Sequence, residues 1–270
     1  MQHIMVAHDL SAHALAALQR GAQLAQQHGA RLTVLHVQES HLPPAVLQQN
    51  GAAATEIIEQ QLQQLQQLAV PAELVLIAGR PAQSIVAQQK ARSVDLLVMG
   101  DHHQDSPLYF AGTTLERVLQ NSTASVLLAL PSDFAPYQQV LLPMDFSRCA
   151  CNALHTARKL VPAQARIHAV HVLEHAQMHP CDTQEYEWES ELFSQLIADE
   201  QAKMTGQGAV ISHELRQGEL YCCLGRIIDE QSPQLLALGK HGRGVMADAL
   251  LGSLAQYFLE QPPCDLLLVK

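Results

Sequence analysis

Short apolar runs alternate with longer amphipathic segments along the chain. Between the runs, apolar residues recur at helical spacing, first after Ser11, which is a favourable N-cap residue. The runs themselves are nearly continuous in apolar residues, as is typical of parallel strands covered on both faces. In the first half we predict strands at Ile4–Ala7, Leu32–Val37, Glu73–Ile77, Leu96–Met99 and Val126–Leu130.

A second helix is predicted after Thr55. Its apolar residues fall on one stripe, and its other face is mostly glutamine, which indicates a solvated surface. The stripe consists of Ile58, Leu62, Leu65 and Ala69. Strands and helices in regular alternation predict an α/β fold with a doubly wound, mainly parallel sheet.

The whole pattern occurs twice, which is the mark of a tandem repeat. A third helix is therefore predicted after Ser147, with Leu154, Ala157, Leu160 and Val161 on its buried side. The clearest matches are HIMVAHDLS (3–11) with QVLLPMDFS (139–147), and GTTLERVL (112–119) with GSLAQYFL (252–259).

A linker with two prolines, residues 131–137, separates the two copies. We predict two tandem Rossmann-like domains, residues 1–132 and 137–270, each with a mainly parallel five-stranded sheet.

Composition and charge exclude several classes of function. The net charge of −10 at pH 7 disfavours non-specific binding to nucleic acid and to anionic membranes. The chain starts without a signal-peptide pattern and has no apolar stretch long enough to cross a bilayer. All six cysteines lie in the second half, and we expect free thiols in a reducing compartment. The expected location is the cytoplasm.

The loop after the fourth strand of the second copy carries the clearest chemistry. It opens at Gly239 and ends at Gly252-Ser253, just before a helical pattern. Glycine lets a backbone approach a phosphate closely, and amides at a helix N-terminus attract anions. Lys240 and Arg243 add positive charge. The loop is therefore a candidate phosphate cradle.

The spacing of this loop resembles the nucleotide-binding signature of the universal stress protein family, Gly-x2-Gly-x9-Gly-Ser. It differs from a Walker A loop, which ends in Gly-Lys-Ser/Thr. The resemblance extends over nearly the whole chain, twice. It includes the Asp-x-Ser after strand one and the His-Val of strand two, at Asp9/Ser11 and Asp145/Ser147, and at His36/Val37 and His171/Val172.

The resemblance implies a UspA-like stress-response protein that binds ATP, with Mg²⁺ as a candidate counter-ion. Adenine would contact Asp145 and Val172, beside the backbone of Pro143, Met144 and Leu238. Gly239 would admit the ribose, and Gly242, Gly252, Ser253 and the Leu254 amide would hold the phosphates. The predicted nucleotide-binding set also includes Lys240, His241 and Arg243 of the same loop. Two positions depart from the family pattern. Met144 stands where a small polar residue is frequent, and Gln234 where an acidic residue is frequent.

The equivalent loop of the first copy, Gly100 to Thr113, has lost these features. His103 replaces the second glycine, and the spacer before the third glycine is one residue shorter. Residues 101–105 carry a charge of −2, whereas residues 240–244 carry +2, counting histidine as neutral. We therefore expect one ATP per chain, bound in the second copy.

The first copy instead collects potential metal ligands after its strand ends. Imidazole and carboxylate groups suit Zn²⁺ or a similar ion. The candidate ligands are His8, Asp9, His36, Asp101, His102 and His103. The alternative is that they are ordinary surface histidines, because the chain contains 15.

Three functions fit these features. The first is a nucleotide-binding regulatory module for stress adaptation, whose protein partner the sequence does not identify. The second is a slow ATP hydrolase, with His241 as the nearest residue to orient a water molecule. The third is a nucleotide-free interaction scaffold with metal in the first domain.

Assembly is expected to occur within the chain. Single-domain family members commonly dimerise through their last strands, so the runs Val126–Leu130 and Leu266–Val269 are expected to pair as an intramolecular pseudo-dimer. Such pairing would cover two apolar edges. A further homodimer through other faces is not excluded.

Overall fold

A computed structural model describes residues 1–41, 43–65, 69–101, 113–174, 183–242 and 251–270. The chain divides into two compact units, Met1–Pro136 and Tyr137–Lys270.

The first unit has five parallel strands in the order β3-β2-β1-β4-β5. The strands are β1 (His3–Ala7), β2 (Arg31–Glu39), β3 (Ala72–Gly79), β4 (Leu96–Gly100) and β5 (Ser125–Ala129). Helices α1 (Ala12–His28), α2 (Pro44–Gln64), α3 (Pro81–Ala91) and α4 (Thr114–Asn121) connect them. Strands β1 and β4 are buried along almost their full length, which explains their apolar sequences.

The second unit repeats this arrangement, with parallel strands in the order β10-β9-β6-β7-β8. They are β6 (Gln139–Pro143), β7 (Arg166–Leu173), β8 (Val210–Gln217), β9 (Leu235–Gly239) and β10 (Asp265–Val269). The helices are α5 (Arg148–Leu160), α6 (Thr183–Ala202), α7 (Leu220–Gln231) and α8 (Ser253–Glu260). The predicted fold class, two tandem doubly wound domains, is confirmed.

Helix α2 differs from its prediction. It begins at Pro44, 11 residues before Thr55, because proline at the first helical position is already in helical geometry. It ends at Gln64, so Leu65 is its C-cap. Ala69 has a left-handed φ of 49° and lies outside the helix, so the predicted apolar stripe ends early.

Helix α5 agrees with its prediction. Ser147 is its N-cap, and its hydroxyl accepts a hydrogen bond from the Ala150 amide. The side chains predicted on its inner face are buried, namely Leu154, Ala157, Leu160 and Val161. The five described cysteines are free thiols. In the described parts of the chain, no helix combines the length and apolar character needed to cross a bilayer.

The segment that ends the first unit is held by a buried arginine. Arg20 of α1 is 2 % exposed, and its Nη1 donates to the carbonyl oxygen of Ala135 at 2.8 Å. Its Nη2 donates to Ser132 Oγ at 3.1 Å, and its guanidinium lies 5.4 Å from the centre of the Phe134 ring. These bonds give the buried guanidinium partners that burial would otherwise deny it. The segment predicted as a linker is therefore fixed to α1 at residues 132–135.

We predict that Arg20→Ala loosens this segment, because it removes the buried side chain that bonds Ser132 and Ala135. The expected cost is about 2–4 kcal/mol in the first unit. Hydrogen exchange of the amides of residues 132–135 should accelerate. Arg158→Ala is the control, since Arg158 bonds the Gly206 carbonyl at an exposed position and should cost less than about 1 kcal/mol. Unchanged exchange in Arg20→Ala would show that the arginine does not hold the segment.

Candidate functional site

The second unit reverses its strand order between β6 and β9. From β6 the chain continues to β7 on one side, whereas β9 and β10 lie on the other. In open parallel sheets, ligands bind at the carboxyl ends of the strands beside such a reversal. Asp145 follows β6 and Gly239 ends β9, so both predicted site residues lie at this point.

A strained turn follows β6. Asp145 Oδ1 accepts a hydrogen bond from the Ser147 amide at 3.1 Å, and Phe146 between them has a left-handed φ of 61°. That conformation costs a non-glycine residue roughly 1–2 kcal/mol. The first unit makes the same turn, with Leu10 at φ 71° and the Ser11 amide bonded to Asp9. The Asp-x-Ser pattern therefore encodes a turn that fixes the aspartate and caps the next helix.

A histidine of β7 holds the backbone of this turn. His171 Nδ1 donates to the Met144 carbonyl at 2.7 Å, and its Nε2 lies 3.3 Å from Glu189 Oε1 of α6. In the first unit His36 Nδ1 donates to the His8 carbonyl at the same distance. From the sequence alone, these histidines are identified only as part of the family signature. Their recurrence before valine in both copies was the available signal for this shared structural role.

Gly239 is required by packing. A Cβ at Gly239 would lie 2.8 Å from the backbone carbon of Cys149 and 2.9 Å from the Ala150 nitrogen. A Cβ at Gly100 would lie 2.3 Å from the carbonyl oxygen of His13. Both glycines let the first turn of a helix approach the end of the fourth strand. Contact of Gly239 with a ribose stays a prediction.

The other two glycines of the loop lie against each other. The Gly252 amide donates to the Lys240 carbonyl at 2.8 Å, and a Cβ at Gly252 would lie 3.5 Å from the Gly242 nitrogen. A Cβ at Gly242 would lie 2.8 Å from Asp145 Oδ2. The fold thus brings together three predicted site residues that are distant in sequence: Asp145, Gly242 and Gly252.

The N-terminus of α8 begins at this contact. Gly252 is the N-cap residue, and among the described residues no side chain caps the helix. Ser253 is its first residue and is exposed. Because the first amides of a helix have no partner within it, those of Ser253 and Leu254 are suited to an anion.

The equivalent helix of the first unit begins differently. Thr113 Oγ1 accepts from the Glu116 amide at 3.1 Å, and Glu116 Oε2 accepts from the Thr113 amide at 3.0 Å. This capping box satisfies two amides of the first turn and places a carboxylate there. Both features disfavour an anionic ligand at α4.

Lys240 does not lie on the surface of the loop. Its residue is 2 % exposed, and burial, with a smaller repulsion from Lys270, lowers its pKa from 10.5 to about 8. Cys149 opposes the shift. The positive charge that the sequence predicted on the loop surface therefore belongs, at Lys240, to a buried side chain. Arg243 lies outside the described residues. His241 is half-buried, and its Nδ1 has no partner among the described residues.

The apolar candidates for an adenine site are mostly buried. Met144 is 4 %, Leu238 2 % and Val172 9 % exposed. Pro143 is the last residue of β6. These residues therefore present mainly backbone and the edges of side chains to a ligand, and their contact with adenine stays a prediction.

Gln234, which departs from the family pattern, has a structural role. Its Oε1 accepts from the amides of Gln138 and Gln139 at 2.6 and 3.2 Å. In the first unit, Asp95 Oδ2 accepts from the amides of Gln2 and His3 at 2.6 and 3.0 Å. In the second copy the neutral side-chain oxygen of Gln234 therefore accepts the two hydrogen bonds that a carboxylate accepts in the first copy.

The candidate zinc ligands are only partly described. His8 is buried, which lowers its pKa, and its Nδ1 accepts from the Leu10 amide at 3.1 Å. His36 donates to the His8 carbonyl, as given above. Across the described ranges, no three His, Cys, Asp or Glu side chains are grouped to hold a metal. His102 and His103 lie outside these ranges, so the zinc site with Asp9 and Asp101 stays a prediction.

We predict opposite outcomes for alanine at two glycines of the loop. Gly239→Ala should destabilise the second unit by about 2–4 kcal/mol, because its Cβ meets fixed backbone. Gly252→Ala should change stability by less than about 1 kcal/mol, since its φ of −59° suits alanine and its Cβ finds ordinary contacts. Thermal unfolding of both variants measures the difference. Equal losses would contradict the packing role of Gly239.

A second prediction concerns Lys240. The unfolded state binds more protons than the folded state between pH about 8 and 10.5, so stability should rise across that window. Lys240→Met should remove this rise and stabilise the chain near neutral pH by about 1–3 kcal/mol. Urea unfolding on both sides of the window tests this. A variant that keeps the wild-type pH dependence would show that burial does not lower the pKa of Lys240.

Comparison with known proteins agrees with this architecture. The universal stress protein family model matches residues 1–129 and again residues 136–270. A universal stress protein A homolog from Haemophilus ducreyi is 32 % identical over 135 residues, covering 47 % of this chain and 94 % of that protein.

Two solved structures share the fold over the full chain. A universal stress protein from Archaeoglobus fulgidus DSM 4304 has a TM-score of 0.74 at 19 % identity, with 99 % of this chain and 98 % of that chain covered. A protein from Pseudomonas aeruginosa UCBPP-PA14 has a TM-score of 0.67 at 17 % identity, with 100 % and 93 % covered. By the two family-model matches and the Haemophilus relative, the chain belongs to the universal stress protein family.

Proposed function

We propose that the chain binds one ATP in its second unit and acts as a regulatory module in stress adaptation. The observation that carries the proposal is the N-terminus of α8, where Gly252 leaves the first amides without a side-chain cap among the described residues. Nucleotide occupancy would bias the conformation or the contacts of the chain.

The residues around this helix fit a nucleotide. Gly242 and Gly252 keep side chains away from the place where phosphates would approach the amides of Ser253 and Leu254. The Ser253 hydroxyl supplies a further donor. Asp145, fixed by its turn, would lie beside the adenosine end of the ligand. Mg²⁺, when bound with ATP, would neutralise part of the phosphate charge.

The first unit is proposed not to bind ATP. Glu116 already bonds the first turn of α4, so a phosphate there would face a carboxylate. At about 5 Å and an effective dielectric of about 20, one such repulsion costs about 3 kcal/mol before screening by salt. The first unit would then serve as a folding partner or hold another ligand.

A slow ATP hydrolase is the second candidate. Its support is His241, a half-buried residue of the proposed phosphate loop whose buried Nδ1 has no partner in the described part of the chain. A neutral imidazole there could accept a hydrogen bond from water. Phosphate release that persists at a catalytic rate, and is lost in His241→Ala, would favour this candidate over a purely regulatory role.

The test uses a substitution that stabilises the helix but blocks the ligand. Gly252→Asp supplies the missing N-cap, so α8 should become more stable by a few tenths of a kcal/mol. The same carboxylate would lie beside the amides proposed to bind phosphate and repel the phosphate charge, so ATP affinity should fall at least about 100-fold. Isothermal titration calorimetry measures the affinity, and thermal unfolding confirms the fold.

Thr113→Asp is the matched control, because it changes the equivalent N-cap of the first unit and keeps a capping side chain. ATP affinity and a stoichiometry of one should be unchanged in this variant. The proposal fails if Gly252→Asp binds ATP like the wild type, or if both variants weaken binding equally.

A further inference from the structure

Helix α6 exposes a pair of large apolar side chains. Trp188 is 62 % and Leu192 is 39 % exposed, and they lie one turn apart on the same face. The opposite face carries Phe193 and Ile197, both buried. The exposed pair therefore contributes little to the core, although burial of a tryptophan yields more free energy than that of most side chains. Large apolar side chains exposed together commonly mark an interaction surface.

The charge of this helix is entirely negative. Between residues 183 and 202 it has six acidic residues and no lysine or arginine. Glu185 and Glu191 are exposed, and each lies three residues from Trp188 on the same face. Two of the six are engaged elsewhere, since Glu189 pairs with His171 and Glu200 with Lys203. The apolar pair thus lies beside the exposed residues Glu185 and Glu191.

This charge decides between possible occupants of the surface. A second copy docking through the same face would bring two negative helices together, and like charges across an interface are costly. Nucleic acid and anionic lipid are repelled for the same reason. A partner helix with an apolar stripe and flanking lysine or arginine satisfies both the tryptophan and the carboxylates.

We propose that the outer face of α6, centred on Trp188 and Leu192, is the docking surface for a basic amphipathic helix of a partner protein. The surface lies on α6 alone and does not depend on nucleotide binding. Trp188 is the anchor, because tryptophan is the residue type most often dominant in binding energy. The carboxylates around it supply attraction and set the orientation of the partner.

The full chain offers a direct readout, because Trp188 is its single tryptophan. The probe is a synthetic helical peptide of about 18 residues with leucine on one face and lysine on the other. Free protein should emit as a water-exposed tryptophan, and the peptide should shift the emission to the blue. Binding should weaken with added salt. A peptide with glutamate in place of lysine should not bind.

Variants distinguish this surface from general attraction to an acidic protein. Leu192→Ser should weaken peptide binding at least about tenfold. Glu185→Lys with Glu191→Lys should do the same. The matched control is Glu56→Lys with Glu59→Lys on α2, which changes the net charge equally around the exposed Ile57. The control should retain most of the affinity.

Three results would overturn the proposal. The first is equal weakening by the two charge reversals, which would indicate non-specific attraction. The second is tryptophan emission that is already blue-shifted in the dilute free chain. The third is a blue shift that grows with protein concentration without peptide, which would mean that a second copy covers this face.

Discussion

The candidate site depends on a close backbone contact inside each unit. The glycine that ends the fourth strand, Gly100 or Gly239, admits the first turn of the helix that follows the first strand. No Cβ fits in that contact, because the nearest backbone atoms would lie 2.3 to 2.8 Å away. The contact brings the turn after the first strand beside the loop after the fourth. The nucleotide site proposed for the second unit depends on that proximity.

The two units place different chemistry on this shared scaffold. Both fix an aspartate with an Asp-x-Ser turn and hold the adjacent carbonyl with a histidine of the second strand. They diverge at the helix after the fourth strand. The capping box of Thr113 and Glu116 bonds two amides at the start of α4 and places a carboxylate there, whereas Gly252 leaves α8 without a side-chain cap among the described residues. A difference of a few side chains is thus enough to favour an anion in one copy and disfavour it in the other.

Much of the fold could be predicted from the sequence, because burial on both faces gives the strands a continuous apolar pattern. The start of α2 at Pro44 was missed, since its first turns carry few buried residues. The loop glycines were found by spacing, but the buried position of Lys240 was not predictable, because a lysine beside a phosphate loop ordinarily suggests an exposed charge. The capping box of Thr113 was visible as Thr-x-x-Glu, although its consequence for anions needed the geometry of both helices.

The central claim is that only the second unit provides a nucleotide site. Native mass spectrometry of the full chain titrated with ATP tests it most directly, because it counts the ligands on each molecule. The account predicts a single added nucleotide that saturates at one per chain. Two nucleotides bound with similar affinity, or none at concentrations well above those of cellular ATP, would contradict it.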